Sequence, residues 1–171
     1  MRKFYLFLFA LLTVCGLAKA QVTVTPTTTS GDTDGISFTT AKNAGQTTPA
    51  YNANGQDFRI YAKGSITISS TVGNMKSIVF NISTQGLKRL APITADKGTI
   101  AAQASGDKTV TWTGDATSAT LTVGDKADYG TESSKAGQLC FTDFVVTVGT
   151  VDPTYVEQPV ISPATGTYYA A

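Results

Sequence analysis

Histidine is missing from all 171 residues, and cysteine occurs only at Cys15 and Cys140. Without an imidazole there is no Ser-His-Asp or Cys-His nucleophile, no histidine general base and no histidine-ligated zinc. Cys15 falls in the apolar N-terminal run, which leaves Cys140 without an intramolecular partner. Its neighbours Leu139 and Phe141 predict a small buried thiol. Glutamate is scarce too, at Glu132 and Glu157 alone. A glycosidase needs two carboxylates held about 5 to 9.5 Å apart. The aspartates that remain mostly sit beside Gly, Lys or Asn, where turn chemistry alone would place them. Charge is balanced at 13 basic and 12 acidic residues, with no block of one sign. Nothing in that distribution attracts a phosphate backbone or an anionic bilayer, so nucleic acid is disfavoured as a partner.

What is present begins with an export signal. Arg2 and Lys3 precede an apolar run from Phe4 to Leu17, and Ala18-Lys19-Ala20 supplies a small-x-small cleavage site. The run falls short of the roughly 20 residues a membrane-spanning helix needs. An uncleaved anchor and lipidation at Cys15 are the alternatives, the second weakened by the bulky Val14 before it. Residues 1–20 are therefore read as a signal peptide. The mature chain carries no transmembrane helix and is destined for the periplasm, the cell surface or the exterior. Loss of Arg2, Lys3 and Lys19 leaves ten basic against twelve acidic residues.

The mature segment alternates with period two and shows little helical periodicity. Val22 to Thr25 alternates, Pro26 to Gly35 reads as a loop, and Ile36-Ser37-Phe38 opens a second strand. After a polar connection from Ala41 to Gln56 come Phe58/Ile60, Ile66/Ile68 and Ile78/Phe80/Ile82, each set predicted to face a core. Leu87 to Asp96 reads as a long connection with one short helical turn, because Pro92 interrupts the helical spacing. Gly106-Asp107, Gly114-Asp115 and Gly124-Asp125 flank the alternating sets Val110/Trp112 and Ala119/Leu121/Val123, and predict successive hairpin turns of a meander. Shared parity with Val110 puts Trp112 in the core. Leu139 and Phe141 are out of phase with Phe144, Val146 and Val148. That change demands a β-bulge near Thr142-Asp143 or a bend into another sheet. Eight or nine short strands so arranged imply an all-β fold, a two-sheet antiparallel β-sandwich of jelly-roll type over residues 21–149. Residues 150–158 read as a linker around Pro153.

Two segments carry a family resemblance. Thr48-Pro49-Ala50-Tyr51, Phe58-Arg59-Ile60-Tyr61-Ala62, Ile66-Thr67-Ile68-Ser69, Trp112-Thr113-Gly114 and the closing Phe144-Val145-Val146-Thr147-Val148 come in an order that resembles a β-sandwich module of exported Bacteroidetes proteins, such as those of Prevotella and Bacteroides. The likeness covers roughly residues 36–149 and implies no catalytic residues. Pro159-Val160-Ile161-Ser162-Pro163-Ala164-Thr165-Gly166-Thr167-Tyr168 looks like the opening strand of the chitobiase/β-hexosaminidase C-terminal type domain, an immunoglobulin-like accessory module. One strand can neither bury its apolar face nor pair its backbone alone. Residues 159–171 are therefore expected to be an incomplete, poorly ordered first strand, and the chain a fragment of a longer protein.

The candidate ligand-binding residues are Tyr51, Arg59, Tyr61 and Tyr129. Arg59 and Tyr61 lie opposite Phe58 and Ile60 in parity and form an aromatic-cation platform if that face is solvated. Tyr51 and Tyr129 lie in expected loops beside Asn52, Asn54 and Asp128, a set suited to carbohydrate hydroxyls. Asp32 and Asp34, within Ser30-Gly31-Asp32-Thr33-Asp34-Gly35, half match a calcium loop. Ala41 stands where the bidentate glutamate belongs, so calcium is a weak cofactor candidate. Asn81-Ile82-Ser83 fits the glycosylation triplet. Taken together, the expectation is a non-catalytic exported binding or adhesion module, with glycans or other cell-surface proteins as partners. A structural spacer or display domain is the alternative, and a small carboxylate hydrolase the third reading.

Overall fold

A computed structural model describes residues 20–149. The leader through Lys19, the expected linker and the expected second-module strand lie outside the described residues. In chain order the elements are β1 (Ala20–Val24), β2 (Ser30–Thr33), β3 (Ile36–Ala41), β4 (Ala50–Asn52), β5 (Asp57–Tyr61), β6 (Ser65–Ser70) and β7 (Met75–Ile82). There follow α1 (Thr84–Arg89), β8 (Ile93–Ala95), β9 (Thr99–Ile100), β10 (Thr109–Ala116), β11 (Ser118–Val123) and β12 (Gln138–Val148). The strands form two antiparallel sheets, an all-β sandwich. One runs β4-β5-β12-β7-β10-β9, with β1 also against β12; the other runs β2-β3-β6-β11-β8.

Alternation explains which faces meet. Phe58, Ile60, Ile66, Ile68, Ile78, Phe80, Val110, Trp112, Leu121, Phe144 and Val146 are all buried, while their polar neighbours, apart from the buried Asp57 and Ser65, are half-buried or exposed. The aromatic centre of the core bridges the layers. Phe38 of β3 meets Phe144 of β12 edge-on at 6.0 Å, and Phe141 packs on Phe58 and Phe80 at 5.8 and 5.0 Å. Such offset and T-shaped contacts satisfy the ring quadrupoles while excluding water.

The expected phase change in β12 is a bulge. Phe141 pairs with Ile82 and Asp143 with Asn81, so Thr142 is the extra residue and points to solvent. Both halves of the strand therefore aim their apolar residues inward, and β12 stays in one sheet. Its first half pairs with β5 and its second half with β1.

Four local expectations are corrected. The Pro26–Gly35 segment is loop only over its first four residues: Ser30–Thr33 pairs with Ile36–Thr39 as a hairpin, turned by Asp34 (φ 50°) and Gly35 (φ 78°). Two consecutive positive φ values suit a tight hairpin turn, for which Asp-Gly is favoured chemistry. The Leu87–Asp96 stretch contains the end of α1 and strand β8. The helix starts earlier than the leucine spacing suggests, because the Ser83 side chain accepts a bond from Gly86 N–H and caps it. The meander is absent. β10 belongs to the sheet of β7 and β11 to that of β6, so the chain crosses between layers at Thr117. Gly114-Asp115 is a bulge within β10, where Thr113 pairs with Ser77 and Ala116 with Met75. Finally, the described strands number twelve, more than the eight or nine expected, because short edge strands such as β4, β8 and β9 carry too few residues to show a pattern.

Candidate functional site

The four candidate ligand residues do not converge. Tyr51 lies on β4 opposite Phe58, not in a loop, and packs against the core. Tyr129 also packs on the core, and its N–H donates to the Leu90 carbonyl. Arg59 does face away from Phe58 and Ile60, but its Nε donates to Asp57 Oδ1 at 2.9 Å. The expected Arg59–Tyr61 platform therefore has its cation engaged elsewhere. All four are half-buried, and Tyr61 is the one that lines the groove described next.

Tyr61 lines a groove of about 340 Å³ together with Gln46, Thr47, Lys63 and Gln138 and the small residues between them. Three segments build it. The 42–49 connection turns at Asn43 (φ 48°), where Gly45 N–H donates to the Lys42 carbonyl at 2.8 Å. Asn43 Nδ2 donates to the Lys63 carbonyl and to Ser65 Oγ, at 3.3 and 2.9 Å, tying this connection to the β5–β6 turn. A side chain at Gly45 would collide with the Ala62 carbonyl, so glycine is required for the two backbones to lie this close. The third segment is the Ala136–Gly137–Gln138 approach to β12. Gln138 pairs with Tyr61, and Gly137 N–H donates to the Asp125 carbonyl at 2.8 Å.

The groove is lined by a half-buried tyrosine, two glutamines, a threonine and a lysine, interspersed with alanine and glycine. Lys63 Nζ lies 3.5 Å from Asp125 Oδ2, an exposed pair that water screens. None of the groove-lining residues is Asp or Glu. Of the two glutamates, Glu132 accepts from Arg89 Nε, and Glu157 lies outside the described residues.

Asp32 and Asp34 sit in the β2–β3 hairpin, Asp32 on a strand opposite Ser37 and Asp34 in the turn. Among the described residues, no group of three or more His, Cys, Asp or Glu side chains is placed to hold a metal ion. The Asn81 triplet is also used internally. Asn81 Nδ2 donates to Asp143 Oδ1 near the end of β7, and Ser83 is buried and caps α1.

The sequence reading missed a buried carboxylate. Asp57 is 1% exposed; its Oδ1 accepts from Arg59 Nε and from Asn52 Nδ2 at 3.1 Å, and its Oδ2 from Ser83 Oγ at 2.7 Å. A buried carboxylate with three donors is structurally satisfied. It locks the β4–β5 hairpin to the cap of α1, beside the groove's β5 wall. Asn52 and Ser83 lie far from one another in sequence, so no local pattern announces the set. Cys140, on the strand beside Arg59, is fully buried, and burial pushes its thiol up to about 12.

No protein-family profile matches the chain, and no curated protein matches it.

Proposed function

We propose that the chain is an exported, non-catalytic binding module whose Tyr61 groove takes a short stretch of glycan. The observation that carries this is the make-up of the groove: one aromatic face beside carboxamide, hydroxyl and ammonium donors, over small residues that let a ring approach the backbone. Sugars are recognised by that combination, an aromatic ring against their C–H faces and fixed polar groups for their hydroxyls. The volume stands at the small end of ligand pockets, which fits a short recognition segment better than an extended one. The absence of a lining carboxylate supports binding over hydrolysis at this place. The N-terminal leader supports export, and the likeness to sandwich modules of exported Bacteroidetes proteins supports a surface partner.

The test is retention on immobilised polysaccharides or a glycan array, with Tyr61→Ala beside the parent. The proposal expects at least one retained glycan, and a weakening of about tenfold or more (about 1.4 kcal/mol) in the variant at an unchanged melting temperature. No retention of any glycan, or equal retention by both proteins, overturns it.

A further inference from the structure

We infer that Gln21 becomes the amino-terminal residue of the exported chain and closes on itself as a pyroglutamyl lactam. The inference rests on the export reading, and two independent features meet at this residue. Ala18-Lys19-Ala20 places the signal-peptidase cut between Ala20 and Gln21. The fold then tolerates that cut. In β1, Ala20 pairs with Val148 and Gln21 with Thr147, so cleavage removes a single position from the ladder. Val22 and Val24, which face the core, stay in place opposite Val146 and Phe144.

The new terminus is set up for cyclisation. Gln21 is exposed and takes no part in the side-chain hydrogen bonds of the described residues, so its carboxamide is free to fold back over its own nitrogen. An α-amino group has a pKa near 7.7, so roughly a sixth of it is the neutral nucleophile at pH 7. The amine lone pair attacks the side-chain Cδ, the new C–N bond closes a five-membered ring, and the Cδ–NH2 bond breaks. Ammonia departs with the proton lost by the amine, and nothing is oxidised or reduced. Holding nucleophile and electrophile in one residue supplies the proximity that an intermolecular reaction lacks. The product loses its terminal positive charge and its primary amine, which closes the β1 end of the sheet to aminopeptidases.

The experiment exports the full chain through its own leader in a bacterial host, incubates the purified product at neutral pH, and measures intact mass and N-terminal sequence. The expected product begins at residue 21, is lighter than the open form by one ammonia, about 17 Da, and is blocked to stepwise sequencing. Unfolding it and treating it with a pyroglutamate-specific peptidase should expose Val22. Gln21→Ala, cut at the same bond, should remain open to sequencing from the start. A chain beginning at Gln21 with a persistent free amine overturns the cyclisation. A chain beginning at any other residue overturns the placement of the terminus.

Discussion

The indole of Trp112 is fully enclosed, its Nε1–H donates to the Lys97 carbonyl, and a side chain at either Gly98 or Gly114 would strike the ring. Strand parity with Val110 was enough to place it inside, because a period of two admits only one inner face. Trp112→Ala should cost about 3–5 kcal/mol, read from chemical denaturation, through lost burial and the cavity left behind. A change under about 1 kcal/mol would mean that the indole is not core. Cys140 was equally legible, from its apolar neighbours. Its buried thiol keeps its proton up to about pH 12, whereas an unfolded chain releases it near 9. The unfolded state therefore binds fewer protons between those values, and stability falls as pH rises through the window, by at most about 1.4 kcal/mol per pH unit. In Cys140→Ala that slope should be shallower than in the parent, in denaturation series from pH 8.5 to 11; identical slopes would contradict the burial. Asp57 shows the limit of this kind of reading. A carboxylate beside Gln56 and Phe58 looks like a turn residue until Ser83 and Asn52 are brought to it in three dimensions.

Among the elements, β12 carries the most information per residue. Apolar residues at 139 and 141 and again at 144, 146 and 148 cannot share a face without one inserted position, and Thr142 is that position. Deleting Thr142 restores uninterrupted alternation with the same apolar residues facing the core, so it removes the bulge without inverting either half of the strand. The deletion variant should keep a cooperative thermal transition, whereas one residue inserted after Val145, where no bulge absorbs it, turns Val146 and Val148 outward and should abolish that transition. A deletion variant without a cooperative transition would contradict Thr142 as the inserted position. The β10–β11 segment teaches the opposite lesson. Gly-Asp dipeptides at regular spacing do mark changes of direction, but glycine chemistry is the same in a hairpin turn, a bulge and a crossing between layers. Which of these forms at Gly114 is settled by Trp112 beneath it and by the separate partners of β10 and β11.

At the scale of the whole molecule, two layers close on a core of aliphatic and aromatic side chains, and the chain's connections are left to make a site. Layering was readable from the alternation because it depends on local periodicity. The groove was not, since it needs the 42–49 connection, the β5–β6 turn and the approach to β12 to meet, and nothing local encodes that meeting. Parity put Tyr61 on the face opposite Ile60 and composition put Tyr129 in a loop, where both lie, whereas Tyr51 was misplaced because it belongs to the short edge strand β4 and packs on the core. The most direct measurement of the binding assignment is a nuclear magnetic resonance titration of the isotope-labelled chain with an oligosaccharide it retains. Amide shifts centred on Gly45, Ala62, Lys63 and Gly137, with the β2–β3 hairpin and Tyr129 undisturbed, are the expected result. Shifts centred on any other surface, with the groove amides unmoved, would contradict it.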